Sequence, residues 1–429
     1  MKCRHCATTL SNKVLDLGHA PPSNAYLSSD QLSHPETHYP LRLSFCPTCS
    51  LVQTEDFHKA DDLFDPDYVY FSSTSRSWVA HAKGFTQTAM SRFELGASSF
   101  VVEIASNDGY LLQNFVAANV PCLGFEPTKS TAKIAREKGV ETRLEFFSEA
   151  QAKSLRAERA GQGADLIVGN NVYAHVPDIN DFTRGMAHLL APEGVISLEF
   201  PHLQELVRHG QFDTVYHEHF SYLSLTAVMQ IFQSSGLRVF DVETLPTHGG
   251  SLRVWGCHAD AARPPQPSVE EVASAEQRAG IDRIEFYAEL QQQADEAANA
   301  LVEFLVEARK NGETVAAYGA AAKGTTLLNY ARIDHRLLNY VADAAPFKQG
   351  RYLPGSHIPV VSPQRLQEAP PDHLLILPWN LKEEIAADLA WICEAHNTKL
   401  WTAMPKPARV YPPDHPQSDD CVVLEYKVN

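Results

Sequence analysis

Basic residues are in short supply. Lys and Arg total 36 against 52 Asp and Glu, a formal net charge of -16. General nucleic-acid binding rests on basic surface that neutralises phosphates, so this balance argues against it. A local basic pocket for a small phosphate ligand is still allowed. Long apolar runs are missing too: none reaches the roughly 18–20 residues of a bilayer span, so no membrane association is expected. Met1-Lys2-Cys3-Arg4-His5-Cys6 leads into no apolar stretch and does not read as a secretory signal, so a cytoplasmic location is expected. Eight cysteines in 429 residues are too few for a disulfide scaffold. Repeats with periods of roughly 20–50 residues and low-complexity tracts are absent.

The cysteines that are present are unevenly placed. Four fall as two close pairs, Cys3-x-x-Cys6 and Cys46-x-x-Cys49. The two-residue spacer lets both sulfurs of a pair converge on one ion, and two pairs supply the four thiolates of a tetrahedral zinc. Such a closed set has no open position for water, so the zinc is expected to be structural. His5, inside the first pair, is a rival ligand. Residues 1–67 hold both pairs, several prolines and little helical periodicity, which fits a small metal-stapled module.

Beyond about residue 98 the pattern changes. Ser99–Ile104, Leu123–Glu126, Ala164–Gly169 and Gly194–Phe200 read as apolar strands. Helical stretches near 110–118, 128–138 and 180–190 separate them. Alternating strands and helices predict a parallel sheet covered on both faces, with Ser251–Gly256 as its last strand. Residues 258–268 read as a linker, and a long helical pattern follows over 269–310. A second strand–turn–helix series begins at Thr314–Gly319, with further strands at 338–343, 359–361 and 373–377. The expected organisation is a zinc module at 1–67, an α/β domain at 68–260 and a smaller Rossmann-like α/β domain at 261–429.

Glu103-Ile-Ala-Ser-Asn-Asp-Gly109 follows a strand and precedes a helix, where open α/β sheets bind ligands. A dinucleotide fold would want G-x-G-x-x-G, and this loop has one glycine. It is more similar to the acid-led loop of class I methyltransferases, whose small residues admit the methionine part of S-adenosylmethionine. Ala105, Ser106, Asn107, Asp108 and Gly109 are therefore cofactor candidates with Glu103. Glu126 ends the next strand, where an acid can accept ribose hydroxyls. Phe146 and Phe147, near the third strand, are candidates for stacking on an adenine.

Tyr216-His-Glu-His-Phe-Ser-Tyr222 crowds two histidines, a glutamate and tyrosines together. The H-E-H spacing does not put both histidines on one helix face, unlike H-E-x-x-H, so a second metal has no support. Histidine can act as a base near neutral pH, with a carboxylate fixing its tautomer, and tyrosines can donate to an oxyanion. His175 follows the fourth strand at the same expected sheet edge.

Taken together, the cysteine pairs, Glu103–Gly109, Asn170-Asn-Val-Tyr-Ala-His-Val176 and Tyr216-His-Glu-His219 resemble the nucleotide-sugar C-methyltransferases, including those that methylate C3 of branched deoxysugars. The resemblance covers almost the whole chain. It implies a 4-keto nucleotide hexose as substrate, an enolate formed by loss of the C3 proton, and attack of C3 on the cofactor methyl. By motif it implies His219 as base, with His217 as competitor, and Glu218 as orienting group. Tyr216, His175 and Tyr70 would hold the sugar and stabilise the enolate. Pro127 and Asn170 would line the cofactor, and Asn171 the substrate. The family usually has glycine where this chain has Ala105; a methyl group there should still fit.

The later segment Tyr318-Gly319-Ala-Ala-Ala-Lys323-Gly324-Thr325, with Lys348, resembles the same family's C-terminal domain. It is not a Walker loop, because lysine precedes glycine. A strand–loop–helix setting still presents backbone N–H groups to an anion, and Lys323 adds a point charge, so the nucleotide diphosphate is the expected ligand of Tyr318, Gly319, Lys323 and Lys348. Two other readings compete: an O- or N-methyltransferase on a related metabolite, which needs no enolate-forming base, and a non-catalytic sugar-nucleotide or zinc interaction module.

Overall fold

The computed structural model describes residues 1–57 and 71–413. Within them the chain forms two compact units. The first gathers 1–14, 43–206 and 218–288; the second takes 15–42, 207–217 and the chain from Glu289 onward. The expected limits at 67 and 260 follow sequence pattern, whereas these units follow contacts. The cysteine pairs fall in the first unit and the intervening residues 15–42 in the second. The division also falls inside the tyrosine–histidine segment, between His217 and Glu218.

Three strands precede the helical part: β1 (Asn12–Ala20), β2 (Tyr39–Phe45) and β3 (Val52–Thr54). The next five are β4 (Val101–Ile104), β5 (Cys122–Phe125), β6 (Thr142–Arg143), β7 (Ala164–Asn170) and β8 (Leu190–Pro201). A short β9 (Ser221–Tyr222), β10 (Leu237–Leu245) and β11 (Ser251–His258) are further strands of the first unit. Its main sheet runs β10-β11-β8-β7-β4-β5-β6. Strands β4 to β8 are parallel, and β10 and β11 are antiparallel. All four residues of β4 are buried, as expected of a strand covered on both faces. The chain reverses between β4 and β7, which places the loops after Ile104 and Asn170 at the switch point.

Helices on the faces start where short polar side chains cap them. Ser75, Ser148, Asp178 and Ser224 accept from the backbone of the first turns at Arg76–Phe93, Glu149–Glu158, Ile179–Leu189 and Leu225–Ser234. The single helix expected over 269–310 is two, Pro267–Ala279 and Leu290–Lys310. Gly280 ends the first in the left-handed region, at φ 83°, a conformation that favours glycine.

The second unit's sheet is formed by β12 (Val315–Tyr318), β13 (Val341–Ala342), β14 (Val360–Val361), β15 (His373–Ile376), β16 (Lys399–Thr402) and β17 (Ala408–Val410). Its order is β14-β13-β12-β15-β16-β17, parallel but for β17. This is a doubly wound arrangement with its own switch point between β12 and β15. No described helix is long and apolar enough to cross a membrane.

Candidate functional site

The two cysteine pairs form matching knuckles. Ala7 N–H donates to the Cys3 carbonyl and Ser50 N–H to that of Cys46, each at 2.9 Å. Ala7 and Ser50 both adopt positive φ, 59° and 57°. The four sulfurs lie within 4.8 Å of one another, with Cys3–Cys49 at 3.5 Å and Cys6–Cys46 at 3.4 Å. Thiolates about 2.3 Å from a tetrahedral zinc stand roughly 3.8 Å apart, so the set fits that ion. The sulfur of Cys49 beside it pulls the Cys3 thiol down to about 5. His5 turns away, pairing through Nδ1 with Asn180 Oδ1 at 2.7 Å.

At the switch point of the main sheet, the loop after β4 is built from unusual backbone. Ala105, Asn107 and Gly109 all have positive φ, at 58°, 50° and 75°. Glu126, at the end of β5, holds the loop by accepting from Asn107 N–H at 2.9 Å and Thr128 N–H at 2.8 Å. Burial pushes its carboxyl up, opposed by these bonds and by hydrogen bonds from the Thr128 and Thr131 side chains. Pro127 lies between these anchors. Ser106 is fully buried against Gly124, where an added Cβ would sit 2.2 Å from its Oγ, so its side chain serves packing. Asn107 and Asp108 tie the loop to the segment before the Arg76–Phe93 helix: Ser72 N–H donates to Asn107 Oδ1 at 2.9 Å, and the Ser73 hydroxyl donates to Asp108. Lys138 adds a 3.2 Å ion pair to Asp108.

Glu103 stands apart among the buried carboxylates. Glu276 accepts four hydrogen bonds, from Leu225 N–H, Thr226 N–H, the Thr226 hydroxyl and His202, and is held below the usual carboxylate range even though burial pushes it up. Glu103 is equally buried, yet neither of its oxygens has a partner at hydrogen-bond distance among the described residues. Burial, then Asp108, then Glu126 push it well above the usual range, with the Leu112 backbone N–H opposing. A buried, under-satisfied carboxylate beside two others favours an incoming cation. S-adenosylmethionine is one, so the residues fit the group.

Asn170 closes β7 beside this crevice. It is buried near the Tyr110 hydroxyl, which burial raises well above its ordinary value. Asn171 adopts φ 52° and pairs through Nδ2 with His248 Nε2 at 2.8 Å. Phe147 packs edge-on against Phe125 and Phe182 in the core, at 5.2 and 5.3 Å between centroids, while Phe146 is exposed.

The histidines meet. His175, in the turn after β7, and His219, just before β9, pack edge to face with ring centroids 4.5 Å apart. Burial lowers His175 to about 4, opposed by a hydrogen bond to the Glu218 backbone, so it is neutral near pH 7. Glu218 and His219 are buried, and Tyr222 lies edge-on to His219 at 5.9 Å. Phe220 N–H donates to the Ala174 carbonyl at 2.8 Å, and β9 pairs with β3 through Val52–Tyr222 and Gln53–Ser221. Tyr216 and His217 belong to the second unit, where His217 is buried with the Tyr39 ring edge-on at 6.1 Å. Tyr70 lies outside the described residues.

A network that sequence pattern does not reveal lies on β8. Fully buried Glu199 accepts from His81 at 2.8 Å, Arg253 at 2.7 Å and the Thr247 hydroxyl at 3.0 Å. His81 stacks on Trp78, which also meets Tyr110 and His248. These partners are 48 to 118 positions from Glu199 in the chain, so no local motif could announce them.

In the second unit, Gly319 ends Tyr318 of β12 at φ 88°, and a Cβ there would sit 2.5 Å from Pro378. Gly324 packs against Leu377. Gly319 is thus favoured by its backbone conformation, and Gly324 by the closeness of the Leu377 side chain. Lys348 donates to the Ala320 carbonyl at 2.7 Å and, with Asp343, pins the loop. Lys323 donates to Asn380 Oδ1 at 2.7 Å and lies 4.5 Å from the Trp379 ring. Trp379 Nε1 in turn donates to buried Asp213 at 2.7 Å. Burial moves Lys323 down to about 8 and Asp213 up to about 6, each resisted by the other's charge. The sequence pointed to Lys323 and missed Asp213, Trp379 and Asn380.

Three family profiles match the chain in order: a zinc binding domain at 3–64, a methyltransferase domain at 75–242 and a C-methyltransferase C-terminal domain at 246–405. The C-methyltransferase NovU of Streptomyces niveus is 35% identical over 384 residues, covering 90% of this chain and 91% of that protein. Among solved structures, a SAM-dependent methyltransferase from Anabaena variabilis matches 47% of this chain and 96% of its own, at 16% identity and a TM-score of 0.36. The magnesium protoporphyrin IX methyltransferase of Synechocystis matches 46% and 88%, at 12% identity and a TM-score of 0.31.

Proposed function

The chain belongs to the C-methyltransferases in which a zinc-binding domain precedes a methyltransferase domain and a C-terminal domain, and from that premise we propose that it methylates C3 of a 4-keto nucleotide deoxyhexose. The observation that carries this reading is the buried contact of His175 with His219. A methyl transfer to oxygen or nitrogen needs no base able to form an enolate. A C–H bond beside a ketone does.

His219 takes the C3 proton, and the electron pair left behind spreads onto the 4-keto oxygen as an enolate. Glu218 orients this base. His175, kept neutral by burial and donating its N–H to the Glu218 backbone, has its other ring nitrogen as an acceptor for a sugar hydroxyl. Tyr216 and Tyr70 donate to the enolate oxygen, and Asn171 holds the sugar. When bound, S-adenosylmethionine supplies the electrophilic methyl that C3 attacks. Glu103, Asp108 and Glu126 favour that cationic donor, and Asn170 and Pro127 line its place. In the second unit, Lys323 with Tyr318 and the Gly319 loop takes the diphosphate, and Lys348 acts by holding that loop. The NovU relative is a C-methyltransferase by name, which supports carbon as the acceptor atom.

The test is a panel of 4-keto sugar nucleotides in deuterated water, read by mass spectrometry and NMR. Deuterium at C3 and a carbon-bound methyl are expected. A methyl found on oxygen or nitrogen without C3 exchange would overturn the reading. His219→Asn should lower turnover and exchange by roughly 10²–10⁴-fold with cofactor affinity within a few-fold. A matching loss of cofactor binding would make His219 structural.

A further inference from the structure

The two histidines come from segments far apart in the sequence, and one side chain reaches both. Arg4 sits inside the first knuckle, between Cys3 and Cys6, with its side chain 3% exposed. One guanidinium nitrogen donates to the carbonyl of Pro177, two residues past His175, at 2.9 Å. The other donates to the carbonyl of Thr54 at 3.1 Å and pairs with the exposed carboxylate of Asp56 at 2.8 Å. The guanidinium lies 5.3 Å from the centroid of Phe220, next to His219. Thr54 continues the chain of contacts, donating from its hydroxyl to the His219 carbonyl at 3.1 Å and from its N–H to the Phe220 carbonyl at 3.2 Å. The Arg4 backbone is itself fixed, its N–H by Gln53 at 2.9 Å and its carbonyl by Asn180 at 3.3 Å.

We propose that Arg4 is a positioning residue that sets the His175–His219 geometry, so that the cysteine module is the mount on which the proton-abstracting pair is aligned. The planar fork suits this task. It satisfies two carbonyls in fixed directions while its face covers an aromatic ring, which a lysine ammonium cannot reproduce. Misplacing a reacting group by about 1 Å can cost a hundredfold in rate.

This inference rests on His219 as the base, and the experiment separates the two. Full-length Arg4→Ala and Arg4→Lys are compared with His219→Asn and with Asp56→Asn, which removes only the exposed arm. Measured are kcat and KM, C3 deuterium exchange, cofactor affinity by calorimetry, zinc per chain by elemental analysis, and histidine ring resonances by ¹⁵N NMR. Arg4→Ala is expected to lower kcat and exchange about a hundredfold. Zinc, cofactor affinity and fold should be retained, and the His175 and His219 resonances should shift. Arg4→Lys should recover part of the loss, and Asp56→Asn should behave as wild type. If His219→Asn keeps full exchange, the base assignment fails. If His219→Asn is inactive while both Arg4 variants keep normal kcat and unshifted resonances, the positioning role fails. Loss of zinc or of the fold from both Arg4 variants would make Arg4 part of the metal module alone and overturn it equally.

Discussion

Replacing Glu103 by Gln should make the ligand-free protein more stable, and increasingly so as pH rises. The carboxylate is buried and stands near two other acids, which favour its protonated form, with only the Leu112 backbone N–H opposing. An acid whose folded-state pKa is raised contributes fully below its unfolded value near 4.5 and loses that contribution as pH climbs toward the folded value. Within that window the wild type loses up to about 1.4 kcal/mol per pH unit relative to a neutral amide. From about pH 5 to 7 this amounts to at most about 3 kcal/mol, or roughly 6–12 °C in thermal midpoint at about 2–4 °C per kcal/mol. With S-adenosylmethionine present the variant's advantage should shrink. The donor's positive charge is what the ionised form favours, and Glu103→Gln should weaken binding by about tenfold, near 1.4 kcal/mol. Scanning calorimetry at several pH values, with and without the cofactor, reads both effects. A variant less stable than wild type at pH 7 without cofactor would refute the reasoning, as would an unchanged affinity.

Further outcomes follow from other positions. Ala105→Gly should add about 1 kcal/mol in denaturant titrations, because alanine at φ 58° carries the left-handed penalty that glycine avoids; no gain would mean the loop relaxes around the methyl. Cys46→Ser should lower zinc below one per chain and strip hydrogen-exchange protection from the β3–β9 amides; full zinc content would refute the four-thiolate set. Gly319→Ala should destabilise the second unit by at least about 2 kcal/mol, because it combines φ 88° with a Cβ 2.5 Å from Pro378. An unchanged urea midpoint would show that the loop can move aside.

Much of this was readable along the chain because the signals are local. Ser99–Ile104 is apolar on both faces, and the loop that follows is small and polar. The cysteine spacing stands alone as a signature. Where the reading fell short, the information was not local. The β10 strand pairs antiparallel with β11 and reads as neither a buried parallel strand nor a helix. The break at Gly280 was visible as a single glycine, which an otherwise continuous helical pattern concealed. Arg4, Thr54, Glu199 and Asp213 draw their meaning from partners tens to hundreds of positions away. The limits at 67 and 260 follow composition along the chain, whereas the contact-based units group residues 15–42 and 207–217 with the C-terminal part, because compactness depends on contacts that composition does not record.

The pairing of β3 with β9 also bears on the order in which the protein can be made. Thr54 and His219 are 165 positions apart. The cysteine knuckles are complete once residue 49 has been synthesised, but the strand they hold must wait for its partner until most of the first unit exists. Closing so long a loop is slow, because its entropy is lost before the contact is gained. Meanwhile an open strand edge is a template for wrong pairing. β3 offers little to such a partner: it is three residues long and carries buried polar Gln53 and Thr54. The pair of histidines is therefore assembled well after the knuckles, and a newly made chain should bind zinc before it can remove a proton.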